Sequence, residues 1–171
     1  MGVPAYMLSI LQRQRLLLKD DGFVTRYPLD WLIWEPGPWR PARSLLDSNL
    51  EATQLPASAE PPRPTGEDAI CFQLKLPKGG DLLKVGRATS NDVVINDLTA
   101  SREQFSLRWD HGAWLLLAGG GVVTVDGQPV NEFAAPLKSG ALIVLGDVRA
   151  TLLSAADMVT RAATYTGKSA R

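Results

Sequence analysis

The 171-residue chain is poor in the residues that build catalytic and metal centres, having one histidine and one cysteine. A solitary Cys71 excludes an intramolecular disulfide and any cysteine-based zinc site. His111, set in Asp110-His111-Gly112, reads as a solvent-facing turn tip, because a catalytic triad needs its histidine beside a nucleophile and a carboxylate. Net charge is missing too. Eighteen basic residues balance 18 acidic ones, and no local basic stripe is present to gather nucleic acid or anionic lipid. No apolar run approaches the roughly 20 residues of a membrane helix. The first apolar stretch, Ala5–Leu11, is broken by Gln12-Arg13-Gln14-Arg15, the reverse of the order in a secretory signal. Met1-Gly2 opens like an acylation site, but Tyr6 stands where Ser or Thr is expected. Gly79-Gly80 and the Gly119-Gly120-Gly121 tract lack the Gly-Lys-Ser/Thr ending of a phosphate-cradling loop. The expectation is a cytoplasmic protein that is not an enzyme, with no catalytic residues, metal, cofactor, nucleic-acid partner or membrane insertion.

What is present is ordinary globular composition, 45% hydrophobic and 21% charged, at a length that hides roughly 70% of the unfolded surface. The spacing of Met7, Leu8, Leu11, Arg15 and Leu18 predicts an amphipathic helix over residues 5–18. A short apolar strand fenced by prolines follows within Tyr27–Trp39. Its three tryptophans, Trp31, Trp34 and Trp39, read either as packing on the chain's own domain or as a docking surface, since aromatic anchors dominate interfaces. Eight of the 12 prolines fall between Tyr27 and Gly66, and Leu55–Asp68 predicts an extended linker. The expected organisation is an N-terminal arm over 1–54, a Pro-rich linker over 55–68, a β domain over 69–154 and a C-terminal helix and tail over 155–171. Ser154 is placed to cap that helix through Asp157, with its end near Thr164.

From Ala69 onward, short β-rich runs recur between turn signals: Ile70–Leu76, Leu82–Val85, Val93–Ile95, Gln104–Trp109, Ala113–Ala118, Val122–Val125, Ala141–Leu145 and Val148–Leu153. Such spacing predicts an all-β sandwich or barrel. Asp110-His111-Gly112 predicts a three-residue hairpin loop and Asp126-Gly127 a two-residue one. Phe105, Leu107 and Trp109 share one face of a strand, and Trp114 and Leu116 face them from the next, forming a core.

The informative segment runs from Val85 to Arg102 (VGRATSNDVVINDLTASR). Two polar loops flank the short buried strand Val93–Ile95, so both emerge at one end of a sandwich and bring Arg87, Ser101 and Arg102 together. A guanidinium, a hydroxyl and a second cation make a compact anion site, and arginine offers a two-pronged fork for phosphate oxygens. Taken singly, each residue reads more simply as a solvated charge or a strand start than as a ligand contact. In combination, Gly86-Arg87, then Asn91-Asp92-Val93-Val94-Ile95-x-Asp97, then Ser101-Arg102-x-Gln104-Phe105-x-Leu107, then Gly112-x-Trp114-x-Leu116 resembles the forkhead-associated (FHA) domain over about Ala69–Ser154.

The resemblance implies a mainly β fold: an FHA-like antiparallel β-sandwich, preceded by a helix-containing arm and followed by a short helix. It further implies a module whose end loops bind phosphothreonine peptides, with a threonine-phosphorylated protein as partner. In that comparison Arg87 grips the phosphate, Ser101 donates its hydroxyl to the same group, Arg102 contacts phosphate or peptide backbone, and Thr99 lies where some members contact peptide. Gly86 lets the backbone bend, while Asn91 and Asp97 tie down the loops. Two positions depart from the family pattern. Ser-x-x-His becomes Ser101-Arg102-Glu103-Gln104, and the loop whose asparagine holds the peptide backbone is replaced by Leu117–Asp126, with Gly119–Gly121 and no asparagine. Two functions follow: a phosphothreonine-dependent adaptor or scaffold, or a degenerate FHA module assembling with a partner independently of phosphate.

Overall fold

The computed structural model describes residues 2–37, 64, 68–131 and 133–165. A short strand β1 (Ala5–Met7) leads into helix α1 (Leu8–Arg26), then β2 (Trp31–Trp34) and β3 (Ile70–Gln73). Next come β4 (Leu82–Gly86), β5 (Val93–Val94), β6 (Phe105–Asp110), β7 (Ala113–Ala118), β8 (Thr124–Val125) and β9 (Gln128–Pro129). The chain closes with β10 (Ala135–Leu137), β11 (Leu142–Leu145), β12 (Val148–Leu153) and helix α2 (Ala155–Thr164). Seven strands form one sheet in the order β1-β3-β2-β12-β11-β8-β9, and five form the other in the order β10-β7-β6-β4-β5. Pairing is antiparallel except between β4 and β5, so this is a mainly β sandwich.

Strand β2 explains why Trp31-Leu32-Ile33-Trp34 reads as an unbroken apolar run. Successive side chains point to opposite faces, and both faces of the sheet are covered here. Leu32 and Trp34 join the core between the sheets, with Phe72, Leu83, Leu107 and Leu152. Trp31 and Ile33 pack on the other side, against Leu8, Leu11, Phe23 and Met158 from the helices. The strand assigned by sequence to an arm ahead of the sandwich therefore lies inside its larger sheet, between β3 and β12. Trp31 and Trp34 are 0% and 1% exposed, so of the two readings these residues follow the one in which they pack on the chain's own domain, and not the docking surface. Trp39, most of the 55–68 linker and the tail beyond Tyr165 lie outside the described residues.

Ala5–Met7 is strand rather than helix because it fills the edge of β3, pairing Tyr6 with Cys71. Helix α1 runs well past residue 18, with a break at Lys19 (φ 59°, ψ 175°). Its first turn is capped from a distance: Asp68 accepts from Ser9 N at 2.9 Å and from Ser9 Oγ at 2.5 Å, satisfying an orphan helix donor with a carboxylate. Helix α2 starts as expected, with Ser154 Oγ accepting from Asp157 N at 3.1 Å. Asp30 joins the layers, accepting from Trp114 Nε1 at 3.0 Å and from Ala155 N at 3.2 Å. Glu35 takes a two-pronged bond from Arg161 at 2.9 and 2.7 Å. Beneath α2, burial pushes the Cys71 thiol far up from its ordinary range and keeps it protonated.

Both hairpins have two-residue loops. Asp110 pairs with Ala113, which leaves His111 and Gly112 at φ 48° and 80°, so the expected three-residue loop is one residue shorter. Asp126 and Gly127 repeat the pattern at 50° and 83°. Two central residues of positive φ define the turn whose twist matches the flanking strands. Of the expected β6–β7 core, Phe105, Leu107, Trp114 and Leu116 are buried, but Trp109 is 38% exposed. It lies next to the turn and rests edge-on against Trp114, ring centroids 5.0 Å apart. No helix among the described residues is long and apolar enough to cross a membrane.

Candidate functional site

The parallel pair decides where the loops go. Val85 pairs with Val93 and Gly86 with Val94, so β4 and β5 end at the same edge of the five-stranded sheet. The loops that follow them, 87–92 and 95–104, start side by side. Backbone bonds stitch them: Arg87 N donates to Ser101 O at 2.9 Å, Ala88 N to Arg102 O at 3.1 Å and Ile95 N to Gly86 O at 2.9 Å. Gly86 has no alternative here, since a Cβ would lie 2.3 Å from Arg102 O. Arg87, Ser101 and Arg102 are thus brought together by main-chain pairing, not by contacts between their own side chains.

The buried polar residues of these loops turn inward and hold backbone. Asn91 Nδ2 donates to Ala88 O at 2.8 Å and to Arg102 O at 2.6 Å. Asp97, fully buried, accepts from Thr99 N at 2.8 Å and from Thr99 Oγ1 at 2.5 Å. Thr99 Oγ1 in turn accepts from Asp147 N at 2.9 Å, so its hydroxyl is committed to tying this loop to the β11–β12 turn. Gln104, 1% exposed, accepts from Ser101 N at 2.7 Å and donates from Nε2 to Val122 O at 3.0 Å. One amide thereby bridges the serine loop and the glycine loop, a use of both ends that an amide side chain allows.

The groups left over face outward. Arg102 is exposed, Arg87 and Ser101 partly so. Arg87 Nε is buried without a hydrogen-bond partner, as are Arg15 Nε and Trp31 Nε1 elsewhere among the described residues. An unmet buried donor costs about 1–3 kcal/mol, and at Arg87 an incoming anion would remove that penalty. The Gly119–Gly121 loop lies alongside. Gly119 N and Gly120 N donate to Gln104 O and Glu103 O at 3.0 and 2.8 Å, and a Cβ on Gly121 would sit 2.3 Å from Ser101 Oγ. Beyond it opens a groove of about 970 Å³, walled by Gly119–Gly121, Val122, Asn131 and Phe133 among others. Sequence reasoning did not place Asn131 and Phe133 on this groove, because they follow the β8–β9 hairpin and belong to no local motif.

A sandwich with an anion-ready cluster on its end loops is a class of fold and site; residues 83–146 place it, matching the FHA domain family. Over those residues the chain is similar to FHA domains. Among solved structures, an engineered FHA domain with a Myc-pTBD peptide is 13% identical, covering 78% of this chain and 96% of that one, with a TM-score of 0.50. The N-terminal FHA domain of Rad53p from S. cerevisiae, in complex with a phosphothreonine peptide, is 14% identical over 78% and 98% of the two chains, with a TM-score of 0.48. The FHA domain of the CT664 protein from Chlamydia trachomatis is 22% identical over 49% and 84%, with a TM-score of 0.44. No curated protein matches the chain.

Proposed function

We propose that this protein binds phosphothreonine peptides, as FHA relatives do, and serves as an adaptor or scaffold for a threonine-phosphorylated partner in kinase-dependent signalling or complex assembly, in the cytoplasm. The observation that carries the reading is Arg87, whose buried Nε lacks a partner beside a serine loop that its own backbone N–H pins. In this reading Arg87 forks onto the phosphate, Ser101 Oγ donates to it, and Arg102 supplies the second cation. Each hydrogen bond to the charged group contributes about 1.5–3 kcal/mol. Thr99 acts by ordering the loop through Asp97 and Asp147. Affinity falls as salt screens the pairs and as the phosphate protonates below its second pKa, near 6.

Calorimetric titration with a degenerate phosphothreonine peptide library and its unphosphorylated twin tests this. The expected result is binding of the phosphorylated pool alone, lost in Arg87→Ala while thermal unfolding stays unchanged. Equal binding of both pools overturns it. The bare Gly119–Gly121 loop favours a second reading, an FHA module that assembles with a partner independently of phosphate; there Arg87→Ala leaves partner binding intact.

A further inference from the structure

Helix α1 leaves apolar side chains in solvent that the sandwich does not use. Its inner face is supplied by Leu8, Leu11 and Phe23, buried with Trp31, Ile33 and Met158. On the outside, Ile10, Leu16 and Leu17 are 48%, 66% and 77% exposed. Arg13 is their neighbour on the helix surface, one turn after Ile10 and one turn before Leu16 and Leu17. The helix breaks at Lys19, and Leu16 lines one depression with Arg15, Lys19, Asp20 and Asp21. An apolar patch rimmed by charge in this way marks an interaction site. The charges at its two ends are unspent. Arg15 is held by Asp20 at 2.9 Å, but the exposed Arg13 and Asp21 side chains pair with no described residue, and Thr25 bonds only the Asp21 carbonyl.

We propose that this corner of α1 binds the same corner of a second copy of the chain, forming a two-fold dimer. Arg13 precedes the leucines and Asp21 follows them, so the patch carries a cation at one end and an anion at the other. Turned about an axis near Leu17, two copies set leucine on leucine and each Arg13 against the partner's Asp21. Such a self-complementary contact is what a two-fold axis requires. A partner of a single charge sign would be repelled at one end, whereas a second copy matches both. Lys19, exposed at the break, stays in solvent. A patch of roughly six residues is far smaller than the 20–30 a side of a stable interface, so the dimer is weak and reversible, in the micromolar range. The contact is independent of the phosphate reading, since none of these residues belongs to loops 87–104.

The test is sedimentation equilibrium of the full chain and its Leu17→Glu, Arg13→Asp and Asp21→Arg variants, each over a micromolar concentration series. The parent is expected to show a reversible monomer–dimer equilibrium, and Leu17→Glu to stay monomeric. Arg13→Asp and Asp21→Arg each bring like charges together and should weaken the dimer about tenfold or more. Mixed in equal amounts, these two variants should regain the parental association as a heterodimer, because both end pairs are again opposite in sign. Thermal unfolding does not move in any variant, since all three side chains are exposed. A parent that is monomeric throughout the series overturns the proposal. So does a dimer that persists unchanged in all three variants, which places the contact elsewhere, or a mixture that associates no better than its components.

Discussion

The loops 87–104 and 119–123 lie against each other and use their hydrogen-bonding groups in opposite ways. In the first, Asn91, Asp97 and Gln104 are all buried and turned onto backbone, which fixes the loop and leaves Arg102 exposed and Arg87 and Ser101 partly so. In the second, three glycines carry no side-chain donor, and the N–H groups of Gly119 and Gly120 are spent on the carbonyls of Gln104 and Glu103. On the proposed reading, gripping a phosphate needs a few charged groups held still, and the buried contacts of the first loop supply that rigidity.

Four substitutions break or sharpen this contrast. Gly86→Ala strikes the rigid side hardest, since its Cβ would meet main-chain atoms, Arg102 O at 2.3 Å and Gln104 N at 2.9 Å. Urea unfolding should report a loss of about 3 kcal/mol or more, with phosphopeptide binding lost as well. Gln104→Ala unties the two loops from each other, leaving Ser101 N and Val122 O without their side-chain partner. A drop of about 2 kcal/mol is expected, and a variant as stable as the parent would show that the loops do not depend on this bridge.

Gly121→Ala acts on the open side. The atoms it meets first are side-chain atoms, Ser101 Oγ and Gln104 Nε2. Because the Gln104 amide that must shift is buried and bonded at both ends, stability should fall by about 1–2 kcal/mol, and displacement of the serine hydroxyl lowers phosphopeptide affinity about tenfold in titration. Last, His111→Asn sets the baseline at a hairpin that touches neither loop. Asparagine before glycine suits the same turn, so chemical denaturation should place the variant within about 0.5 kcal/mol of the parent.

Much of the site was legible because its residues lie within one stretch. Gly86, Arg87, Asn91, Asp97, Ser101 and Arg102 are close in sequence, so strand ends and turn residues placed them together before any packing was known. Thr99 is less straightforward: its hydroxyl is committed through Asp147, a residue 48 positions away. The hairpins were legible for a local reason, since Asp-Gly and His-Gly pairs supply the positive φ that two-residue loops need. The three-residue loop at His111 was misjudged because histidine's tolerance of that conformation is not visible in strand periodicity.

The sequence by itself determined the mainly β character, the positions of β7 and β12 and the cap of α2. These rest on alternation, turn chemistry and short-range spacing, which act within about a dozen residues. Tertiary structure alone decided that Trp31–Trp34 lies inside the larger sheet, that Ala5–Met7 is an edge strand, and that Thr99 is tied to the turn at Asp147. In each case the partner is far away in the chain. A fully apolar strand looks the same whether it docks on a partner or is buried on both faces; only the sheet on one side and the helices on the other distinguish them.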